Sequence, residues 1–119
     1  MDGLSVQPDV FTLTPKEVEI RLLALSDYKA TSSEDHWRNL KGSIVSRPDI
    51  CSSLARWKTI IWPVLNRSNW EISITHSAMF GWCVSVFNSV DTFTAAGESL
   101  ELTLAQVSLL ALQTFRKPQ

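Results

Sequence analysis

A chain of 119 residues with 45% hydrophobic and 19% charged side chains has the composition of one folded domain, which excludes a domain array and a disordered tract. Its formal net charge of −1 argues against a protein that holds nucleic acid by bulk charge. No stretch reaches the roughly 20 apolar residues of a membrane span, and Met1-Asp2-Gly3-Leu4 lacks the basic and then apolar opening of a secretory signal. The expected setting is therefore the cytoplasm, with no membrane contact and with Cys51 and Cys83 as free thiols.

Residues 1–13 are expected to form a loose N-terminal arm or a short extended piece. Thr14-Pro15-Lys16-Glu17 then predicts a helix start: Thr14 caps, Pro15 suits the first helical position, and Glu17 completes a capping box. Val18, Leu22 and Leu25 share one face, with Ile20 and Leu23 beside them, which predicts a first helix over about 15–27. Residues 28–49 carry a weaker pattern. Ser32 or Ser33 is placed as the cap of a short helix bearing Trp37 and Leu40. Gly42 interrupts it, Ile44 and Val45 form an apolar pair, and Arg47-Pro48-Asp49 reads as a turn.

A second helical stripe runs through Ile50, Leu54, Trp57, Ile61, Val64 and Leu65. Pro63 lies inside it and should kink or end the helix near Trp62; residues 66–69 then form a loop. Strict alternation follows, with Trp70, Ile72 and Ile74 on one face and Glu71, Ser73 and Thr75 on the other. Trp82, Val84 and Val86 repeat it. A hairpin pairing Ile74 with Val84 and Ile72 with Val86 brings the apolar faces together, whereas a one-residue slip would not. Residues 90–95 are a candidate third strand. After Gly97-Glu98-Ser99, the last helix (100–115) is apolar around much of its circumference, as a helix central to the core would be. The fold class expected is α+β: a small antiparallel sheet of two or three strands packed by about three helices, in the order ααββα, in a single domain over 1–119.

The second half, residues 50–115, resembles the small phage-encoded α-β-α sandwich proteins, among them the NinX-like proteins. The stretches that carry the resemblance are CSSLARW (51–57), WEISI (70–74), WCVSV (82–86) and ESLELTLAQVSLLAL (98–112). The Thr14-Pro15 helix is similar to that family's opening helix, while 28–49 departs from its pattern. The resemblance implies a phage or mobile-element origin and accessory work in a host cell. Small proteins of that kind act by binding and inhibiting a host macromolecule, a nuclease-based antiviral defence (an anti-CRISPR-like role) being one such target.

No catalytic constellation stands out, and no cofactor or metal is expected. The glycines are isolated, so no phosphate loop is present. His36 and His76 are the only histidines; in the expected hairpin His76 points away from Cys83, against a Cys–His nucleophile pair. Glu98 and Glu101 complement the dipole of the last helix.

Charge is unevenly spread. Lys16, Arg21 and Lys29 are outnumbered by acidic residues across 1–35, whereas 36–69 holds Arg38, Lys41, Arg47, Arg56, Lys58 and Arg67 against Asp49 alone. Either the basic middle neutralises the acidic ends on folding, or it faces an acidic partner or phosphate. Arg56, Lys58 and Arg67, with Trp62 nearby, are the residues that would grip such a partner; the alternative is a solvated helix face. Met79 and Phe80, at the hairpin tip, either contact a protein or fold back onto the helices. Trp37, Trp62, Met79 and Phe80 exceed what a two-stranded core needs, and Trp is enriched at interfaces. The expected partner is a host protein or protein complex, reached through these residues without catalysis. A small nucleic-acid-binding module using 36–69 is the alternative, and a homo-oligomer that buries the spare tryptophans is compatible with either.

Overall fold

The structure, a computed structural model, describes residues 10–115. The expected loose arm lies outside the described residues up to residue 9. Beyond that it is not loose: Val10–Thr12 form a 3₁₀ turn, with Val10 in the core. Helix α1 spans Pro15–Leu25. Its capping box is formed: the Glu17 N–H donates to Thr14 Oγ1 at 3.1 Å and the Thr14 N–H donates to Glu17 Oε1 at 2.8 Å. Val18, Leu22 and Leu23 face the core.

Residues 28–49 hold no helix. They form a three-stranded antiparallel sheet of β1 (Lys29–Ala30), β2 (His36–Arg38) and β3 (Ile44–Ser46). Ser33, one of the two candidate caps, closes a turn instead, and so does Asn39. Ser33 Oγ accepts from the Asp35 N–H at 3.1 Å, and Asn39 Oδ1 accepts from the N–H groups of Lys41 and Ser43 at 2.9 and 3.0 Å. Trp37 is not surplus: it is buried, and its Nε1–H donates to the Glu34 carbonyl at 2.9 Å.

The second helical stripe exists in pieces. A 3₁₀ turn at Ile50–Ser52 precedes α2 (Leu54–Ile60), whose first turn is capped by the Ser53 hydroxyl. The break falls at Ile61, and α3 (Trp62–Arg67) begins there with Pro63 in its first turn, where a missing N–H is harmless. The helix therefore extends into the expected 66–69 loop, and Asn69 makes the turn out of it with φ of 65°.

The main sheet has β4 (Glu71–Ser77), β5 (Gly81–Phe87) and β6 (Thr92–Gly97) in the order β4-β5-β6, all antiparallel. Ile74 stands opposite Val84 and Ile72 opposite Val86, as the phase argument requires. The third strand starts and ends about two residues later than its sequence pattern suggests. Helix α4 (Leu100–Phe115) opens on the Ser99 hydroxyl, which accepts from the Leu102 N–H at 3.1 Å.

The fold is thus α+β, but with two small sheets rather than one, so the expected order ααββα is incomplete. Helix α4 lies at the centre, with β5 and β6 on one side and α1, the 50–52 turn and α2 on others. Leu104, Ala105, Val107, Leu109, Ala111 and Leu112 are all in the core. Helix α4 packs mainly over β5 and β6 rather than over the edge strand β4. Val84 and Val86 are fully buried, while Ile72 is half-buried and Ile74 is 42% exposed. The apolar face of the hairpin is therefore covered on the central strand and open at the sheet edge. No helix among the described residues is long and apolar enough to cross a membrane.

Candidate interaction site

The uncovered face of β4 forms one wall of a groove. Ile72 and Ile74 face Trp57 and Lys58 of α2 and Trp62 of α3 across an open volume of about 210 Å³. The opposite wall is rigid. Trp57 Nε1 donates to the buried Ser108 hydroxyl at 2.9 Å, and the Trp62 ring lies 6.0 Å from that of Trp57, centroid to centroid. The groove is smaller than the ~300–1,000 Å³ typical of small-molecule sites. It suits inserted side chains. Lys58 has no carboxylate within salt-bridge distance among the described residues. Further along the same face, the His76 and Trp82 rings meet edge-on at 4.8 Å.

Met79 and Phe80 do not fold back. They stand 80% and 63% exposed at the tip of the β4–β5 hairpin. The tip is nonetheless well held: Ser77 Oγ accepts from the Met79 and Phe80 N–H groups at 3.1 and 3.3 Å. Gly81 closes it at φ +79°, where a Cβ would also come within 2.7 Å of the Gly97 carbonyl oxygen. The tip does not line the groove; it lies at least three residues beyond Ile74, about 10 Å along the strand.

Arg56 and Arg67 each stand beside a carboxylate of this chain. Arg56 Nε is 3.7 Å from Asp49 Oδ1, and Arg67 makes a bidentate pair with Asp27 at 2.9 Å on both arms. That hydrogen bonding holds the Arg67 guanidinium above its ordinary pKa. Arg47, in turn, donates to Glu19 at 3.0 Å and to Asp35. The hydrogen bond from Arg47, followed by the nearby Lys16 charge, holds Asp35 below the usual carboxylate range. The basic middle thus folds onto acidic residues, many of them from the N-terminal third. The hollow lined by Tyr28, Asn39, Arg47, Asp49 and Arg56 therefore carries arginines that are already paired. Of the expected site residues, Trp62 and Lys58 share the groove and Met79 and Phe80 share the hairpin tip, while Arg56 and Arg67 line neither.

Sequence reasoning missed Trp57 and Ile74 as groove walls, because both sit on stripes that read as core. It also missed a row on the outer face of the small sheet. Lys29 stands directly opposite Arg38, and Arg38 opposite the exposed Ile44. Like charges placed so oppose pairing.

Nucleophile chemistry finds little support. Burial, then the Glu19 charge, pushes the Cys51 thiol up to about 12, and its backbone N–H is held by Glu19 Oε2 at 3.1 Å. Cys83 lies opposite Thr75, on the face away from His76. Both thiols are free. Among the described residues, no group of three or more His, Cys, Asp or Glu side chains is placed to hold a metal ion.

The arrangement defines an α+β domain with an apolar groove beside an open sheet edge. No protein-family model matches the chain, and no curated protein matches it. Among solved structures, its fold is similar to that of a phage protein from Bacillus cereus, with a TM-score of 0.68 and 13% identity over 98% of this chain and 100% of that one. The likeness is one of fold, and it does not single out the NinX-like group.

Proposed function

We propose that this chain is a non-enzymatic accessory protein of phage or mobile-element origin that binds and inhibits a host protein, with a nuclease-based antiviral defence as the class of target. The observation that carries the reading is the hairpin tip. Met79 and Phe80 are large, apolar and exposed on a turn held by hydrogen bonds, and a preorganised apolar tip anchors a contact at little entropic cost. The fold shared with a phage protein supports the origin. The pairing of Arg47, Arg56 and Arg67 with carboxylates speaks against the nucleic-acid alternative through 36–69. A narrower form of that alternative rests on Lys29 and Arg38, whose opposed charges would be relieved by a phosphate.

The test is co-purification from host lysate at low and high salt, with and without nuclease. A specific protein that survives both treatments, and is lost when Met79 or Phe80 becomes Asp, supports the proposal. Recovery of nucleic acid alone, lost at high salt as counterion release dictates, and lost in a Lys29→Glu, Arg38→Glu variant, would favour the alternative.

A further inference from the structure

We propose that the partner docks by strand addition: an extended segment pairs with the free edge of β4, seats apolar side chains against Trp62 and Ile74, and places a carboxylate beside Lys58. The inference rests on the protein-binding reading and names the chemistry of its partner.

The edge comes first. β4 is an outer strand of the main sheet, so among the described residues one row of its backbone N–H and C=O groups has no strand beside it. Such edges are normally blunted by proline, lysine, a bulge or a covering element. Among the described residues no strand pairs with this edge of β4, and its one carboxylate, Glu71, sits at the first position. Its seven residues, Glu71–Ser77, pair with β5 in unbroken register, and its sequence contains no Pro or Lys.

The face comes second. A strand added to β4 would lie about 4.8 Å from it and send alternate side chains to the face of Ile72 and Ile74. The Trp57–Trp62 wall flanks that position. The small apolar groove offers room for inserted side chains, and pockets for alternate side chains are what give strand-addition sites their specificity.

Charge then selects the occupant. Lys58 lines the groove and has no acidic neighbour among the described residues, whereas Arg47, Arg56 and Arg67 each have one. A second copy of this chain would not supply the missing charge. Antiparallel β4–β4 pairing that keeps apolar residues on one face presents Ile72, Ile74 and His76 of the copy to Lys58, and puts its Glu71 on the opposite face. A different protein, with an acidic residue among alternating apolar ones, meets both requirements.

The experiment uses a displayed library of linear twelve-residue peptides, selected in parallel on the full chain, on Lys58→Glu and on Ile74→Asp. Ile74 is partly exposed, so Ile74→Asp is expected to fold, which its melting curve checks. On the native chain the enriched peptides should alternate apolar residues and carry Asp or Glu. On Lys58→Glu the acid should give way to Lys or Arg, and the native-selected peptide should bind at least about tenfold more weakly, as loss of a charged hydrogen bond implies. The peptide should slow amide hydrogen exchange within 71–77, and a proline at its centre should abolish binding.

Three results would overturn the proposal: no enrichment over Ile74→Asp; enriched peptides that bind all three proteins alike; or a chain that sediments as a dimer and becomes monomeric with Ile74→Asp. Host-protein capture that is lost with Phe80→Asp but kept by Lys58→Glu and Ile74→Asp would remove the strand-addition site and leave the binding role intact. Peptides that pass every arm without any host protein being captured would leave the site and remove the role.

Discussion

The indole N–H of Trp57 and the hydroxyl of Ser108 meet at 2.9 Å inside the core, across 51 residues of sequence. The bond ties α2 to the central helix α4. It also fixes the Trp57 ring against which Trp62 leans, so one wall of the groove is set by a single buried polar pair.

Ser108→Ala removes that acceptor and leaves the indole N–H buried without its acceptor. The cost should be about 1–3 kcal/mol, read as a lower urea midpoint with an unchanged slope. In a Trp57→Phe background, which lacks the indole donor, Ser108→Ala should lose less. Equal losses would show that the hydrogen bond contributes nothing and that only packing matters.

Leu104 and Ile74 separate core from groove. Leu104 is fully buried on α4, so Leu104→Ala should cost about 2–5 kcal/mol, a large share of the ~5–15 kcal/mol that holds a domain together. Ile74→Ala, at the sheet edge, should cost less than about half as much. Calorimetric melting of both variants checks this, and comparable losses would mean that Ile74 is core after all.

The ion pairs differ in the same way. Arg67 and Asp27 have half-exposed side chains, and Arg67→Ala should leave stability nearly unchanged despite the bidentate geometry, because solvent screens the pair. Glu19 is buried and accepts from both Arg47 Nε and the Cys51 N–H. Glu19→Ala should cost about 2–3 kcal/mol, less than loss of a fully buried pair because Asp35 still holds Arg47. Chemical denaturation at low and high salt distinguishes them, since only the exposed pair should respond to screening.

The two thiols should react in sequence. Cys83 is partly exposed and Cys51 is buried, so an aromatic disulfide reagent should label Cys83 in the native chain and Cys51 only on unfolding. The folded Cys51 thiol titrates at about 12, above the ordinary 9.0. Its raised value makes a stabilising contribution that is fully present below pH 9. That contribution is lost as pH rises towards 12, because the unfolded thiol gives up its proton first. The loss should approach about 1.4 kcal/mol per pH unit. Cys51→Ala should have a shallower decline in stability above pH 9 than the native chain, and parallel declines would refute the assignment.

Much of the scaffold was determined by sequence alone. The α1 capping box, the apolar circumference of α4 and the β4–β5 register each follow from a pattern at least seven residues long, or from a local motif whose donors and acceptors lie within one turn. The small sheet was not legible. Its strands are two and three residues long, too short for a period of two to show, and Ser33 and Asn39 are equally good at capping helices and closing turns. Only the tertiary structure decided the site. Ile74 has the same apolar identity and phase as Ile72, yet it stands exposed on the edge strand while α4 packs mainly over β5 and β6. Arg67 and Arg47 look available for a ligand until Asp27 and Glu19, 40 and 28 residues away, close on them. Burial and charge pairing depend on which distant segments meet, and neither periodicity nor composition carries that information.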